Sequence, residues 1–270
     1  MKKILIFGGS GFLGKAIYKE LNPFFNLHCT YYKNIIFKKN KRFHYFDIRH
    51  KSIRLLNKIQ PNIVISSISG DFYNQISFHN ELINYCDLKK IKLMFISSSN
   101  VFDYFTNFPS YEDDKTFSNS IYGKFKINIE NKILRLKNKN WAILRSPMIF
   151  DNNSPRIVEL KKNIFNQHPI EIFPNLIVNI NSAKFFAKQI HYIISRNLTG
   201  IIHHGSKDLL LHTDLISSIL KKLNFEKINY KYVYTTNDNR YLALFSKKKT
   251  FPKHLQFGYD VVLNDLGKTL

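Results

Sequence analysis

Short apolar runs recur through the first 150 residues, each closed by glycine, proline or a polar cluster. They are Lys3 to Phe7, Leu27 to Tyr32, Arg42 to Phe46, Asn62 to Ser66, Lys92 to Ile96 and Trp141 to Arg145. Runs this short and this continuously apolar read as parallel strands buried on both faces. Between them, helical spacing covers Phe12 to about Asn22-Pro23, Ile76 to Leu88 and Tyr122 to Leu136. Strands alternating with helices predict an α/β fold built on a doubly wound parallel sheet, with right-handed crossovers. Beyond about residue 150 the rhythm weakens. Helices are predicted near 155–166, 183–195 and 210–222, and short strands near 200–203 and 229–233. The expected division is a doubly wound domain over 1–150 and a small mixed α/β lobe over 151–270, partly interleaved with it.

Composition narrows the class. With 270 residues, 44% hydrophobic and 22% charged, the chain falls in the globular range. No apolar stretch approaches the roughly 18 residues that cross a bilayer. The opening run Met1 to Phe7 is too short for a signal peptide and glycines follow it, so a cytoplasmic chain is expected. The formal charge of +22 raises nucleic-acid or anionic-membrane binding. However, the lysines are scattered, with only short clusters at 38–42 and at Lys247-Lys248-Lys249. The accompanying excess of Asn, Ile, Phe and Tyr matches A/T-rich codons. Compositional bias is the preferred reading, so neither a specific nucleic acid nor a membrane is expected as partner. A positive surface would still attract an anionic substrate. Cys29 and Cys86 have no CxxC or metal-ligand spacing and read as buried thiols. His203-His204 lacks a third ligand nearby, so no metal is expected. Phe24, Phe25, Phe102 and Phe105 read as packing residues.

The first candidate chemistry lies in Gly8-Gly9-Ser10-Gly11-Phe12-Leu13-Gly14, between the first strand and the first helix. Gly8 permits a sharp exit from the strand, Gly11 lets the backbone approach a pyrophosphate, and Gly14 lets helix and strand pack closely. The diphosphate would rest on amides at the helix N-terminus. This is the turn of a Rossmann-type dinucleotide site. A NAD-preferring site places a carboxylate at the end of the second strand. Here Thr30-Tyr31-Tyr32-Lys33-Asn34 has none, and Lys33 is available to a 2′-phosphate. NADP(H) is the favoured cofactor, with NAD(H) as the alternative. Asp47, just after the third strand, is placed for an adenine contact. The full expected cofactor set is Gly8, Gly11, Phe12, Leu13, Gly14, Lys33, Asp47, Ile48, Ser66, Ser67, Tyr122 and Lys126.

Tyr122 and Lys126 stand four positions apart on the predicted long helix, which puts both on one face. Carbonyl reduction needs a proton donor at the oxygen as hydride reaches the carbon. Tyrosine is a poor acid or base at its ordinary pKa of about 10, and a neighbouring ammonium lowers it. Ser98, after the fifth strand, adds a hydroxyl able to hydrogen-bond the carbonyl. Ser98, Tyr122 and Lys126 are the candidate catalytic set.

The glycine turn, Ser98 with Val101-Phe102-Asp103, Tyr111-Glu112-Asp113-Asp114, and Asn119-Ser120-Ile121-Tyr122-Gly123-Lys124-Phe125-Lys126 with Glu130 resemble the extended short-chain dehydrogenase/reductases. The likeness is nearest to the dTDP-4-dehydrorhamnose reductase group, and Leu144-Arg145-Ser146-Pro147 and Gly200 to Gly205 fit it too. It covers most of residues 1–222. The resemblance implies Ser98 as carbonyl hydrogen-bond donor, Tyr122 as proton donor and Lys126 as its electrostatic partner. It implies hydride delivery to the 4-keto group of a nucleotide-linked 6-deoxy sugar, in deoxysugar and surface-polysaccharide biosynthesis. It further implies that Asn80 faces the active site in support of a proton path, and a homodimer would be unsurprising. The chain departs from the family at Phe125, usually a small residue, at Ser66-Ser67-Ile68, and at Ser98, where threonine is common. The alternatives are a nucleotide-sugar epimerase and a non-catalytic NADP-binding regulatory subunit.

Overall fold

The computed structural model describes residues 1–267 apart from 105, 227 and 249, so Phe105 and Lys249 lie outside the described residues. The chain begins with β1 (Lys3–Phe7), α1 (Phe12–Leu21), β2 (Asn26–Tyr31), β3 (Phe43–Tyr45), α2 (Ile53–Ile59) and β4 (Ile63–Ser66). Next come α3 (Phe72–Leu88), β5 (Lys92–Ser98), α4 (Ile121–Leu134), β6 (Trp141–Ser146), β7 (Met148–Phe150) and α5 (Pro155–Phe165). Then follow β8 (Ile170–Ile172), β9 (Leu176–Val178), β10 (Ile180–Ser182), α6 (Ala183–Ser195) and β11 (Gly200–His203). The last elements are β12 (Leu210–Leu211), α7 (His212–Lys222), β13 (Tyr230–Tyr232), β14 (Arg240–Leu242) and α8 (Tyr259–Asp265).

Seven strands form one parallel sheet in the order β11-β6-β5-β4-β1-β2-β3. Successive residues of each central strand enter opposite layers, as the period of two requires. Ile4, Ile6, Ile65, Met94 and Leu144 pack with Ile17 and Leu21 of α1 and with Phe186 and Ile190 of α6. Leu5, Phe7, Val64, Phe95 and Ile143 pack on the other side with Leu56, Leu82, Phe125 and Ile129 from α2, α3 and α4. Both faces are therefore covered, which is why the strands read as continuous apolar runs. The apolar spacing does not predict α2, whose seven residues span fewer than two turns.

The chain returns to the sheet after residue 150, since α6 packs on α1 and β11 adds an edge strand beside β6. The intervening and final segments build a lobe from α5, α7, α8 and small sheets β12-β9-β14, β13-β8 and β10-β7. Its separate core includes Phe150, Ile157, Val178, Ile180, Leu215, Ile219 and Val262. These lobe strands are two or three residues long, too short to show a period of their own. Both cysteines are buried, and burial pushes the Cys86 thiol up to about 12. No helix among the described residues is long and apolar enough to cross a membrane. Nor do the described residues contain a group of three His, Cys, Asp or Glu that could hold a metal ion.

Candidate active site

The glycine turn leaves β1 at Gly8, which adopts φ +80°. Its amide donates to Thr30 Oγ1 at 2.9 Å and the Ser10 amide to the Thr30 carbonyl at 3.1 Å, pinning the turn to β2. A Cβ on Gly14 would lie 2.2 Å from the Gly8 carbonyl oxygen, so α1 can start this close to β1 only with glycine there. No side chain caps α1, and its first amides are open to an anion. The turn walls a cleft of about 650 Å³ at the carboxyl ends of the strands, where the strand order reverses between β1 and β4. Gly8, Gly11, Lys33, Asp47, Ile48 and Ser67 line it, while Phe12, Leu13 and Gly14 continue into α1. Ser66 is turned away: it is buried, and its hydroxyl lies 2.8 Å from Nε2 of His79 on α3. The open helix end and the glycine cradle fit a dinucleotide diphosphate.

Asp47 does not present a free carboxylate to this cleft. The Arg49 amide donates to it at 3.0 Å, and the Arg49 Nε and Nη2 groups reach its two oxygens at 2.5 to 3.1 Å. These bonds hold the Asp47 carboxyl down at about 2. Arg49 also donates to the Tyr32 hydroxyl at 3.1 Å. Sequence reasoning passed over Arg49; the available signal was an aspartate at the start of a turn, where its carboxylate accepts from the amide two residues on.

Ser98 ends β5. Its hydroxyl donates to Asn100 Oδ1 at 2.9 Å and accepts from the Asn100 amide at 3.2 Å. Tyr122 lies in the first turn of α4, with its phenol near enough to Ser98 for the serine to favour the phenolate. Gly123 permits that approach, because a Cβ there would meet the Asn100 carbonyl oxygen at 2.2 Å. One turn further, buried Lys126 donates to the Ile96 carbonyl at 2.8 Å, with Nζ 5.6 Å from the Tyr122 ring centroid. Burial raises the Tyr122 phenol above its ordinary pKa, opposed by the Ser98 hydrogen bond and the charge of Arg156. Burial lowers the Lys126 ammonium to about 8, opposed by Glu130. At neutral pH the site therefore holds a protonated phenol beside a mostly charged ammonium.

Two carboxylates hold this arrangement. Asp103 accepts from Ser118 Oγ at 2.7 Å, from the Asn119 amide at 3.0 Å, and from Ser120 Oγ. Ser120 is the N-cap of α4, and Asp103 also receives Asn100 Nδ2 at 3.4 Å, so one carboxylate joins the Ser98 loop to the Tyr122 helix. Glu130 accepts from Ser97 Oγ at 2.5 Å and from Arg145 at 2.7 Å. Arg145 Nη1 lies 3.4 Å from His203 Nε2, and His203 Nδ1 is 2.8 Å from the Phe245 carbonyl. No local spacing signals that these distant residues meet.

Asn80 corrects the expectation from sequence. It is exposed on α3 and accepts from Lys132 Nζ at 2.5 Å, while the preceding His79 takes the inward position. Phe125 fills the space against Phe72, with ring centroids 5.0 Å apart.

A glycine turn at a topological switch point, with a Tyr-x-x-x-Lys helix against a strand-end serine, defines the extended short-chain dehydrogenase/reductase class. Within it, the chain belongs to the family of the RmlD substrate binding domain, whose sequence profile matches residues 73–243. Among curated proteins it is similar to methionine adenosyltransferase 2 subunit beta of Xenopus tropicalis, 27% identical over 165 residues. That match takes in 55% of this chain and 47% of the relative, so the chain spans about half the length of the curated relatives it matches. Among solved structures it is similar to dTDP-4-dehydrorhamnose reductase from Bacillus anthracis in complex with NADP, at TM-score 0.74, 17% identity and 97% coverage of each chain. The reductase from Yersinia enterocolitica gives 0.71, 16% and 97% of each. UDP-glucuronic acid 4-epimerase from Bacillus cereus, in complex with NAD, gives 0.73 and 20%, covering 98% of this chain and all of that one. At these identities the structural likeness establishes the shared fold.

Proposed function

We propose that this chain is an NADP(H)-dependent reductase of a nucleotide-linked 4-keto-6-deoxy sugar. The observation that carries the reading is the placement of the Tyr122 phenol and the Ser98 hydroxyl beside each other, with the Lys126 ammonium 5.6 Å from the phenol ring centroid. Two hydroxyls on one side of a strand end suit a carbonyl oxygen. Ser98 would orient that oxygen, and Tyr122 would deliver the proton that turns the developing alkoxide into an alcohol. Lys126 would stabilise the phenolate left behind and hold the ribose of the cofactor. Gly8, Gly11 and the amides opening α1 would hold its diphosphate, and Lys33 its adenosine end. A bound reduced nicotinamide supplies the hydride. Burial keeps the phenol protonated, the form from which a proton donor starts.

Loss of nicotinamide absorbance on adding freshly generated dTDP-4-keto-6-deoxy sugars tests the reading. Turnover that disappears in Tyr122→Phe supports it. The likeness to methionine adenosyltransferase 2 subunit beta favours a second reading, a dinucleotide-binding subunit without turnover. Tight NADPH binding with no turnover on dTDP, UDP, GDP or CDP sugars would select that reading instead.

A further inference from the structure

At the β11 edge of the main sheet, four strands from β1, lies a second cavity of about 310 Å³, and no residue lines both it and the cleft of the glycine turn. It has room for about ten waters, far more than close packing leaves between side chains. Its walls include the aromatic residues Tyr111, Phe245 and Phe251, and the lysines Lys207 and Lys248. Both lysines are exposed, and neither ammonium bonds a described residue. No aspartate or glutamate lines the space, so these charges are uncompensated there. The cavity also touches the frame of the catalytic helix. His203, in its wall, donates through Nδ1 to the Phe245 carbonyl at 2.8 Å, and its Nε2 lies 3.4 Å from Arg145 Nη1. Arg145 in turn holds Glu130 of α4 and donates to the carbonyl of Glu112, the neighbour of Tyr111, at 3.4 Å. The Glu112 carboxylate accepts from the Ser246 hydroxyl and the Lys247 amide, which ties the loop before Lys248 to the same frame.

We infer that this cavity is a second ligand site, for a small aromatic phosphate, and that its occupancy is relayed through His203, Arg145 and Glu130 to α4. A dianionic phosphate matches two free ammonium groups with no carboxylate beside them. A flat ring matches walls of tyrosine and phenylalanine. Both nitrogens of His203 are engaged, so a ligand meets this ring as a packing surface and moves Arg145 with it. Ordering Tyr111, Phe245 and Lys248 would stiffen the supports on both sides of Arg145, and with them the helix that carries Tyr122 and Lys126. The site does not depend on the reaction proposed for the cleft.

The test is calorimetric titration of phenyl phosphate into wild type and a Lys207→Met/Lys248→Met double variant, each with and without saturating NADPH. Both substituted side chains are exposed, so the variant should fold. Wild type should bind with a Kd below about 1 mM, equally in the presence and absence of NADPH. The double variant should bind at least about 10-fold more weakly, and so should inorganic phosphate on wild type, because it lacks the ring. In hydrogen exchange, the α4 amides of wild type should slow by about twofold or more when phenyl phosphate is bound. No binding up to about 10 mM, full binding by the double variant, displacement by NADPH, or equal binding of inorganic phosphate would overturn the site. Binding that leaves α4 exchange unchanged would overturn the relay to the helix and keep the site.

Discussion

Arg145 Nη2 lies 2.7 Å from Glu130 Oε2, and both side chains are only 2% exposed. The pair bridges the carboxyl end of β6 to the helix that carries Tyr122 and Lys126, and Ser97 and His203 complete its hydrogen bonds. A buried pair gains little over apolar packing, but removing one partner leaves the other charge uncompensated. Glu130→Ala should therefore cost about 3–5 kcal/mol of stability. For a chain of this size that is a fall of roughly 10 °C in Tm. A fall of a degree or two by calorimetry would mean that the pair is hydrated or replaceable.

Tyr122→Phe removes one hydroxyl and keeps the ring packed at a tilt near Phe72, whose centroid lies 5.7 Å away. General-acid contributions run at about 10²–10⁴-fold. We expect kcat to fall within that range, with NADPH affinity unchanged by fluorescence titration. Unchanged turnover would remove Tyr122 from the mechanism.

Asp103→Ala cuts the tie between the Ser98 loop and the α4 N-cap without touching the glycine turn. Small displacements of reacting groups are expensive, at about 10²-fold for 1 Å. The expected result is a kcat at least about 10-fold lower, with cofactor affinity held. Loss of cofactor affinity in parallel would show that Asp103 supports the whole domain and not the alignment of Ser98 with Tyr122.

Gly14→Ala drives a Cβ into the Gly8 carbonyl, whereas at Gly11 a Cβ would stand 3.1 Å from that same oxygen. The first substitution should abolish NADPH binding and lower Tm, and the second should be markedly milder in Tm. Equal Tm values for the two variants would contradict the packing described for the turn.

Four buried histidines set the acid limit of stability. Burial lowers His79 and His204 to about 3, and His203 and His212 to about 4, from an ordinary 6.5. Between pH 6.5 and about 4 the unfolded chain binds more protons than the folded one, so stability falls as pH falls through that window. Each histidine contributes up to about 1.4 kcal/mol per pH unit. Denaturant midpoints should drop steadily from pH 7 to pH 5. A flat profile would mean that these rings are protonated in the folded state.

Local chemistry made much of this molecule legible in its sequence. The apolar runs at Ile4 to Phe7, Val64 and Phe95 mark strands because a sheet covered on both faces demands apolar residues on both. The GxxGxxG spacing marks the turn because the Gly8 and Gly14 backbones must meet there. Tyr122 and Lys126 share a face because the helical period is 3.6. Each of these rests on residues a few positions apart.

Only the tertiary structure decided which way particular side chains turn and which distant ones meet. Asn80 points outward to Lys132 and His79 inward to Ser66, because packing of α3 on the sheet sets the helix rotation, and α3 has a weakly polarised pattern. Arg145 finds Glu130 and His203, and Arg49 finds Tyr32, because strand order places β6 beside β11 and β2 beside β3. Such pairings follow from how the elements stack in space, and residue spacing along the chain carries no record of that arrangement.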